Sequence, residues 1–222
     1  MNKMWYFSPS NQPANIGING YGSEKEQMNL LLDEIIPHLD RAGICFHRAD
    51  RDMSIQDRCK ESNAMGATFH LCLHSNAGGN GKACGPVAYY YSDAGKNMGT
   101  KLADALLSLG QKNNRSSNVI QNKSLYELKK TTAAACLLEV DFHDSAVGVE
   151  FLTRRRSEIA EAIARVIIET DGKQFVSVTP GEYIDEAVKL GLFRSDSDWN
   201  APMTKEEAAI LAVRLKKLIE RG

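Results

Sequence analysis

The chain has 222 residues, 43% of them hydrophobic and 25% charged, with a formal net charge of -1. That length supports one well-filled core and at most a small appendage. The balanced charge leaves no electrostatic footprint for nucleic acid and no polybasic surface for a membrane, and no stretch approaches the roughly 18 apolar residues of a membrane span.

Residues 4–7, Met-Trp-Tyr-Phe, predict a short aromatic strand that stops at "SPSNQPANIGINGYGS", a run of turn-forming residues. Ser23 followed by Glu26 makes a capping box, and Leu30, Leu31, Ile35 and Leu39 supply the apolar face of the helix it opens. A strand over Ile44–His47 and a helix from about Ile55 to Met65 follow. "TFHLCLHS" is a strong strand ending in the glycine-rich "NAGGNGKACG", and "VAYYY" leads into a helix from about Ala94 to Lys112. After a polar connection come a helical turn near Leu125–Lys129, the apolar strand "ACLLEVDFHDS", and a helix around 154–170.

Strands that are apolar runs, separated by helices, predict an α/β fold: a mostly parallel twisted sheet flanked by helices on both faces. A composition break at 171–182 divides the chain into a main domain over 1–172, a linker over 173–180 and a small helical module over 181–222. The module carries helical patterns at 181–191 and about 203–221, too little for a second full core. Five cysteines (45, 59, 72, 84 and 136) form no CxxC pair, which fits reduced, packed thiols; Cys84, among glycines, is the one placed to be exposed. "MNKMWYFSPS" has no signal-peptide pattern, so the expectation is synthesis in the cytoplasm.

In open α/β sheets, functional groups gather at the carboxyl ends of strands. His74 is the last residue of its strand before the loop, while His70, deeper on the same face, reads as a hydrogen-bonded core imidazole. Glu24 sits in the first turn of a helix, where the helix dipole favours a carboxylate. Glu139 interrupts an apolar strand, with His143 and Asp144 just beyond it. A His-Glu-His set is a competent zinc site that leaves one position for water. A further carboxylate then serves as general base, so metal-assisted hydrolysis is within reach of these residues.

The chain resembles the zinc-dependent N-acetylmuramoyl-L-alanine amidases of the amidase-3 type, phage endolysins and bacterial autolysins among them. The likeness covers roughly residues 4–170. It rests on "GSEKEQMN", "DRDMSIQDRCKESNAMGATFHLCLHSNAGG", "GPVAYYY" and "ACLLEVDFHDS", in that order. The resemblance implies Zn2+ as cofactor, Glu24 and His74 as ligands, and Glu139 as the catalytic carboxylate that activates water and protonates the L-alanine nitrogen. It implies peptidoglycan as substrate, with Asn76, Arg58 and His143 along the groove. One departure stands out. The family's first ligand is a histidine in a turn after the first strand, and here that turn, "FSPSNQP", contains none. Pro-to-Pro alignment puts Asn11 at that position, but the longer Gln12 is the expected replacement; His47 is a more remote substitute.

The tail "EYIDEAVKLGLFRSDSDWNAPMTKEEAAILAVRLKKL" is similar to one S-layer-homology-like repeat, which implies a secondary cell-wall polymer as partner. A helical hairpin that forms a homodimer, or packs back with Phe193 and Trp199 as its core, is the other reading. The expected function is thus a peptidoglycan amidase acting on the wall after release, as in phage lysis. The alternative is a catalytically impaired, metal-free wall-binding protein on the same fold.

Overall fold

The computed structural model describes residues 3–78 and 80–176. The chain divides into a unit Met1–Phe175 and a second, Val176–Gly222. The expected C-terminal module over 181–222, and most of the expected linker, lie outside the described residues.

Strand β1 (Met4–Pro9) is followed by a two-stranded antiparallel ribbon, β2 (Ile16–Gly17) with β3 (Gly22–Ser23). Helix α1 (Glu24–Arg41) starts where the capping box predicts, with the Ser23 hydroxyl accepting from the Glu26 amide. Its buried face is Met28, Leu31, Leu32, Ile35 and Leu39; Leu30, expected to be apolar-facing, is exposed because it lies a third of a turn off that stripe. Next come β4 (Cys45–Arg48), α2 (Ile55–Ala64, capped by Ser54), β5 (Phe69–Asn76), β6 (Val87–Tyr90) and α3 (Asp93–Ser108). The series ends with β7 (Val119–Gln121), α4 (Tyr126–Lys130), β8 (Ala134–Phe142), α5 (Ala146–Arg154) and α6 (Arg156–Thr170).

The main sheet has six strands in the order β4-β1-β5-β8-β6-β7. Pairings are parallel except β6 against β8, so the mostly parallel sheet is as the sequence implies. Strand β7 lies in what read as a polar connection; the helix expected around 154–170 is α6, and α5, which ends against it at Arg155 (φ -116°, ψ 23°), was not expected. Cys84 is buried; among the described cysteines Cys45 is the exposed one.

The two faces of the sheet differ in chemistry. Trp5 and Phe7 of β1, Leu71 and Leu73 of β5, and Leu138 and Val140 of β8 point into one apolar cluster with α1, α3 and α6. The alternate residues point toward α2 and α4, where the pleat sets Tyr6, Ser8, His70, Cys72 and Leu137. That second face holds a buried polar network. Ser8 donates to Glu127 Oε1 (2.5 Å), His70 Nε2 lies 3.1 Å from the same oxygen, and His70 Nδ1 is 3.0 Å from Ser62. Arg58, 1% exposed, donates to Ser8, to the Pro9 carbonyl (2.5 Å) and to the Asp50 carbonyl (2.9 Å). A guanidinium is the side chain that can satisfy several fixed carbonyls at once, and here it fixes the end of β1.

Candidate active site

Four segments meet at the carboxyl end of the sheet: the turn after β1, the start of α1, and the ends of β5 and β8. Parallel pairing of β5 with β8 sets His74 directly beside Glu139 on the same face of adjacent strands. The β1 turn is held from several sides. The Ser10 amide donates to the Leu73 carbonyl (2.9 Å), Asn29 donates to the Ser10 carbonyl (3.3 Å), and Asn11 donates to the Met53 carbonyl (3.0 Å). Asn11 is therefore turned away from the histidine, and Gln12, the next residue, is turned toward it. The loop then closes on the helix, with the Glu24 amide donating to the Asn15 carbonyl at 2.8 Å.

The side chains converge closely. His74 Nδ1 is 2.7 Å from Glu24 Oε1, and Gln12 Nε2 lies 3.4 Å from the same ring nitrogen. Asn15 Nδ2 bridges the set, donating to Glu24 Oε2 (2.7 Å) and to Gln12 Oε1 (2.9 Å). Glu24 and His74 are buried, whereas Gln12 is exposed, so the cluster opens to solvent on the Gln12 side.

Burial pushes the Glu24 carboxyl up, but the hydrogen bond and charge of His74, with the Asn15 bond, bring it below its ordinary value. His74 moves the other way. Burial lowers it, and the Glu24 bond with the charges of Glu139 and Glu24 raise it overall. Glu139 is pushed up to about 7 by burial; His74 pulls it down and Glu24 adds to the rise. Its Oε2 atom is sealed from solvent with no hydrogen-bond partner. A carboxylate oxygen left bare is costly in a native fold, and this one belongs to the residue registered beside His74.

The profile of the N-acetylmuramoyl-L-alanine amidases of the amidase-3 type matches residues 11–169. The chain belongs to this family. Among solved structures, it is similar to the catalytic domain of the amidase CwlV from Bacillus (Paenibacillus) polymyxa var. colistinus, at 21% identity and TM-score 0.64, over 76% of this chain and 97% of that one. It is similar to the amidase AmiC2 of Nostoc punctiforme (19%, TM-score 0.67, 77% and 98%). A third likeness is to the catalytic domain of an endolysin targeting Clostridia difficile (19%, TM-score 0.65, 79% and 100%). At these identities the likeness is one of fold. No curated protein sequence matches the chain.

Within this amidase-family fold, the residues expected from the sequence fall into two groups. Gln12, Glu24, His74 and Glu139 gather at one place. Asn76 closes β5 beside them, half-buried, its Oδ1 accepting from the Ala77 amide. Arg58 and His143, expected along the substrate groove, are both buried and bonded to other protein groups. Arg58 is buried with its guanidinium committed to carbonyls below the turn. His143 is buried, stacks on Tyr21 and bonds Ser75 through Nδ1 at 2.9 Å. His47 lies on the far strand, 3.2 Å from Glu61 and stacked on Tyr6, so it takes no part in the Glu24–His74 cluster. Asn15 was missed; it sits nine residues before Glu24 in a loop whose path only the fold reveals.

A second group of metal-capable side chains, His70, Cys72 and Glu127, lies within 4.8 Å on the polar face. Burial, with Glu127 close by, pushes the Cys72 thiol well above its ordinary value, which disfavours the thiolate a metal requires. Glu127 is already bonded by Ser8 and His70, and the Arg58 guanidinium is one hydroxyl away. That group reads as a closed hydrogen-bonded core. Glu139, with its bare oxygen, does not.

Proposed function

We propose that the protein hydrolyses the amide joining the lactyl group of N-acetylmuramic acid to the L-alanine of the stem peptide, with a zinc-type divalent cation at Glu24 and His74. The reading is carried by one observation: Glu139 holds a solvent-sealed, partnerless carboxylate oxygen beside a carboxylate–imidazole pair, inside the segment that matches the amidase family. The donor set fits a cation. Hydrolytic zinc sites use three protein donors and keep one position open; Glu24 and His74 supply two, and the Gln12 amide beside them supplies a third once its oxygen turns toward them. When bound, the cation supplies a Lewis acid that polarises the amide carbonyl and makes water more acidic.

The chain's own residues do the rest. Glu139, its carboxyl pushed up to about 7 by burial, is a suitable base for the proton of the attacking water. It returns that proton to the L-alanine nitrogen as the carbon–nitrogen bond breaks, so the leaving group departs as a neutral amine. Arg58, Ser8 and Asn29 hold the turn that carries Gln12, and Asn76 lines the rim of the groove. The substrate places the action at the bacterial wall, as for an endolysin or autolysin.

The test is digestion of purified peptidoglycan with release of free L-alanine amino termini, followed by mass spectrometry of the products. Glu139→Gln is expected to abolish release, by roughly 100-fold or more. Wild-type release by that variant would sink the mechanism. Wall binding without any release, in the wild type loaded with cation, favours the alternative of a binding protein on an amidase fold, which the absence of a histidine in "FSPSNQP" motivates.

A further inference from the structure

We infer that Gln12 and Asn15 make this an oxygen-rich, weakened cation site that discriminates little between zinc and manganese. The inference rests on the reading that Glu24 and His74 hold a cation. The candidate donors around the opening are one imidazole nitrogen (His74), carboxylate oxygen (Glu24) and the Gln12 carboxamide, which Asn15 bonds. Imidazole suits zinc, whereas carboxylate and carbonyl oxygens suit harder ions such as manganese. A set with a single nitrogen therefore gives up much of the usual advantage of zinc.

The hydrogen bonds set a second cost. Asn15 Nδ2 donates to Gln12 Oε1 and to Glu24 Oε2, so the Gln12 oxygen faces Asn15 and its NH2 faces His74. An NH2 group cannot ligate a cation. To coordinate, the Gln12 amide must turn over and present its oxygen. Asn15 then meets an NH2 with its own NH2, unless it also turns and gives up its bond to Glu24. Asn15 thus holds Gln12 with its NH2 toward His74, and cation binding works against both of its bonds. The exposure of Gln12 gives the amide room to turn.

The experiment is calorimetric titration of the cation-stripped full chain with zinc and, separately, manganese, for wild type, Gln12→His, Asn15→Ala and His74→Ala, with circular dichroism to verify folding. Gln12→His is expected to tighten zinc about 100-fold and manganese far less. Asn15→Ala is expected to tighten both ions moderately, since the amide is freed to turn. His74→Ala is expected to lose both. Unchanged zinc affinity in Gln12→His, or a wild-type preference for zinc over manganese as large as in that variant, overturns the inference and leaves the proposed function standing. Zinc binding that survives unchanged in His74→Ala overturns both, because the cation then sits elsewhere. Failure of wild type and Gln12→His alike to bind either ion also overturns both.

Discussion

A carboxyl group held near pH 7 by burial acts on stability as well as on catalysis, and in the cation-free protein Glu139 is such a group. Its ordinary value is 4.5 and its folded value about 7. Between those values the folded chain binds the Glu139 proton more tightly than the unfolded chain does. Stability therefore falls as pH rises through that window, and the full penalty is present above it. Glu139→Gln removes the ionisation while keeping the shape. In the cation-free protein it is expected to raise stability at pH 8 by about 2 kcal/mol, allowing for partial solvent access. That corresponds to roughly 4–8 °C in Tm, and the gain should vanish near pH 4. Thermal melts of the two proteins at both pH values check this. A variant less stable than wild type at pH 8 would mean that Glu139 is a structural residue and not one whose ionisation the fold tolerates for chemistry.

At the scale of elements, the geometry behind the site depends on close contacts that permit little substitution. A Cβ on Gly148 in α5 would stand 2.1 Å from the Phe142 carbonyl oxygen and 2.8 Å from Asp141 Oδ1, so α5 packs against the end of β8 only because that position has no side chain. Gly148→Ala should push α5 away from the strand that carries Glu139, costing about 2 kcal/mol or more; an unchanged Tm would show that the helix is free to shift. Arg58→Ala is a sharper case. It removes the guanidinium that bonds the Pro9 and Asp50 carbonyls and the Ser8 hydroxyl, for about 3–5 kcal/mol and roughly 10 °C in Tm. A melt within 2 °C or so of wild type would remove the brace from the account.

Which elements could be read from sequence follows the same division between local and distant causes. Ser23 with Glu26 marks the start of α1 because capping is settled within four residues. The alternation in β5 sets His70, Cys72 and His74 on one face for an equally local reason. Strand β7 has three residues and no pattern of its own, so its pairing with β6 carried no sequence signal. Helix α5 has nine residues directly after the end of β8, too short a run to stand out from the strand and turn before it. Burial of Arg58 and the bridge from Asn15 are both products of tertiary path, which no local pattern in the sequence encodes. Within the candidate site, the acidic and imidazole members were recognisable as residue types at strand and helix ends, and the amide that completes it was visible only as the residue standing near a missing histidine.

At the scale of the molecule, the sheet, both helical layers and the cluster at Gln12, Glu24, His74 and Glu139 all fall within the described residues. The last clasp on that body is Phe175, which packs beside His38 and lies under the Arg165 guanidinium, 4.2 Å from ring centre to carbon. A truncation must keep that residue. Cutting before it would expose His38 and the adjoining edge of the apolar cluster, and any loss of activity would then report on stability alone. Ending the chain at Pro180 leaves the clasp intact and removes the whole segment that resembles a wall-anchoring repeat. The shortened protein is expected to melt within a few degrees of wild type and to turn over small soluble muropeptides at the same rate. It should pellet less with purified cell walls, because a single substrate groove binds an insoluble polymer more weakly than a groove tethered to a second contact. If pelleting is the same for both chains, the segment beyond residue 180 is not an anchor. If instead the rate on soluble muropeptides falls while the melt holds, the segment contributes to the catalytic body itself, and its resemblance to a wall-binding repeat is incidental.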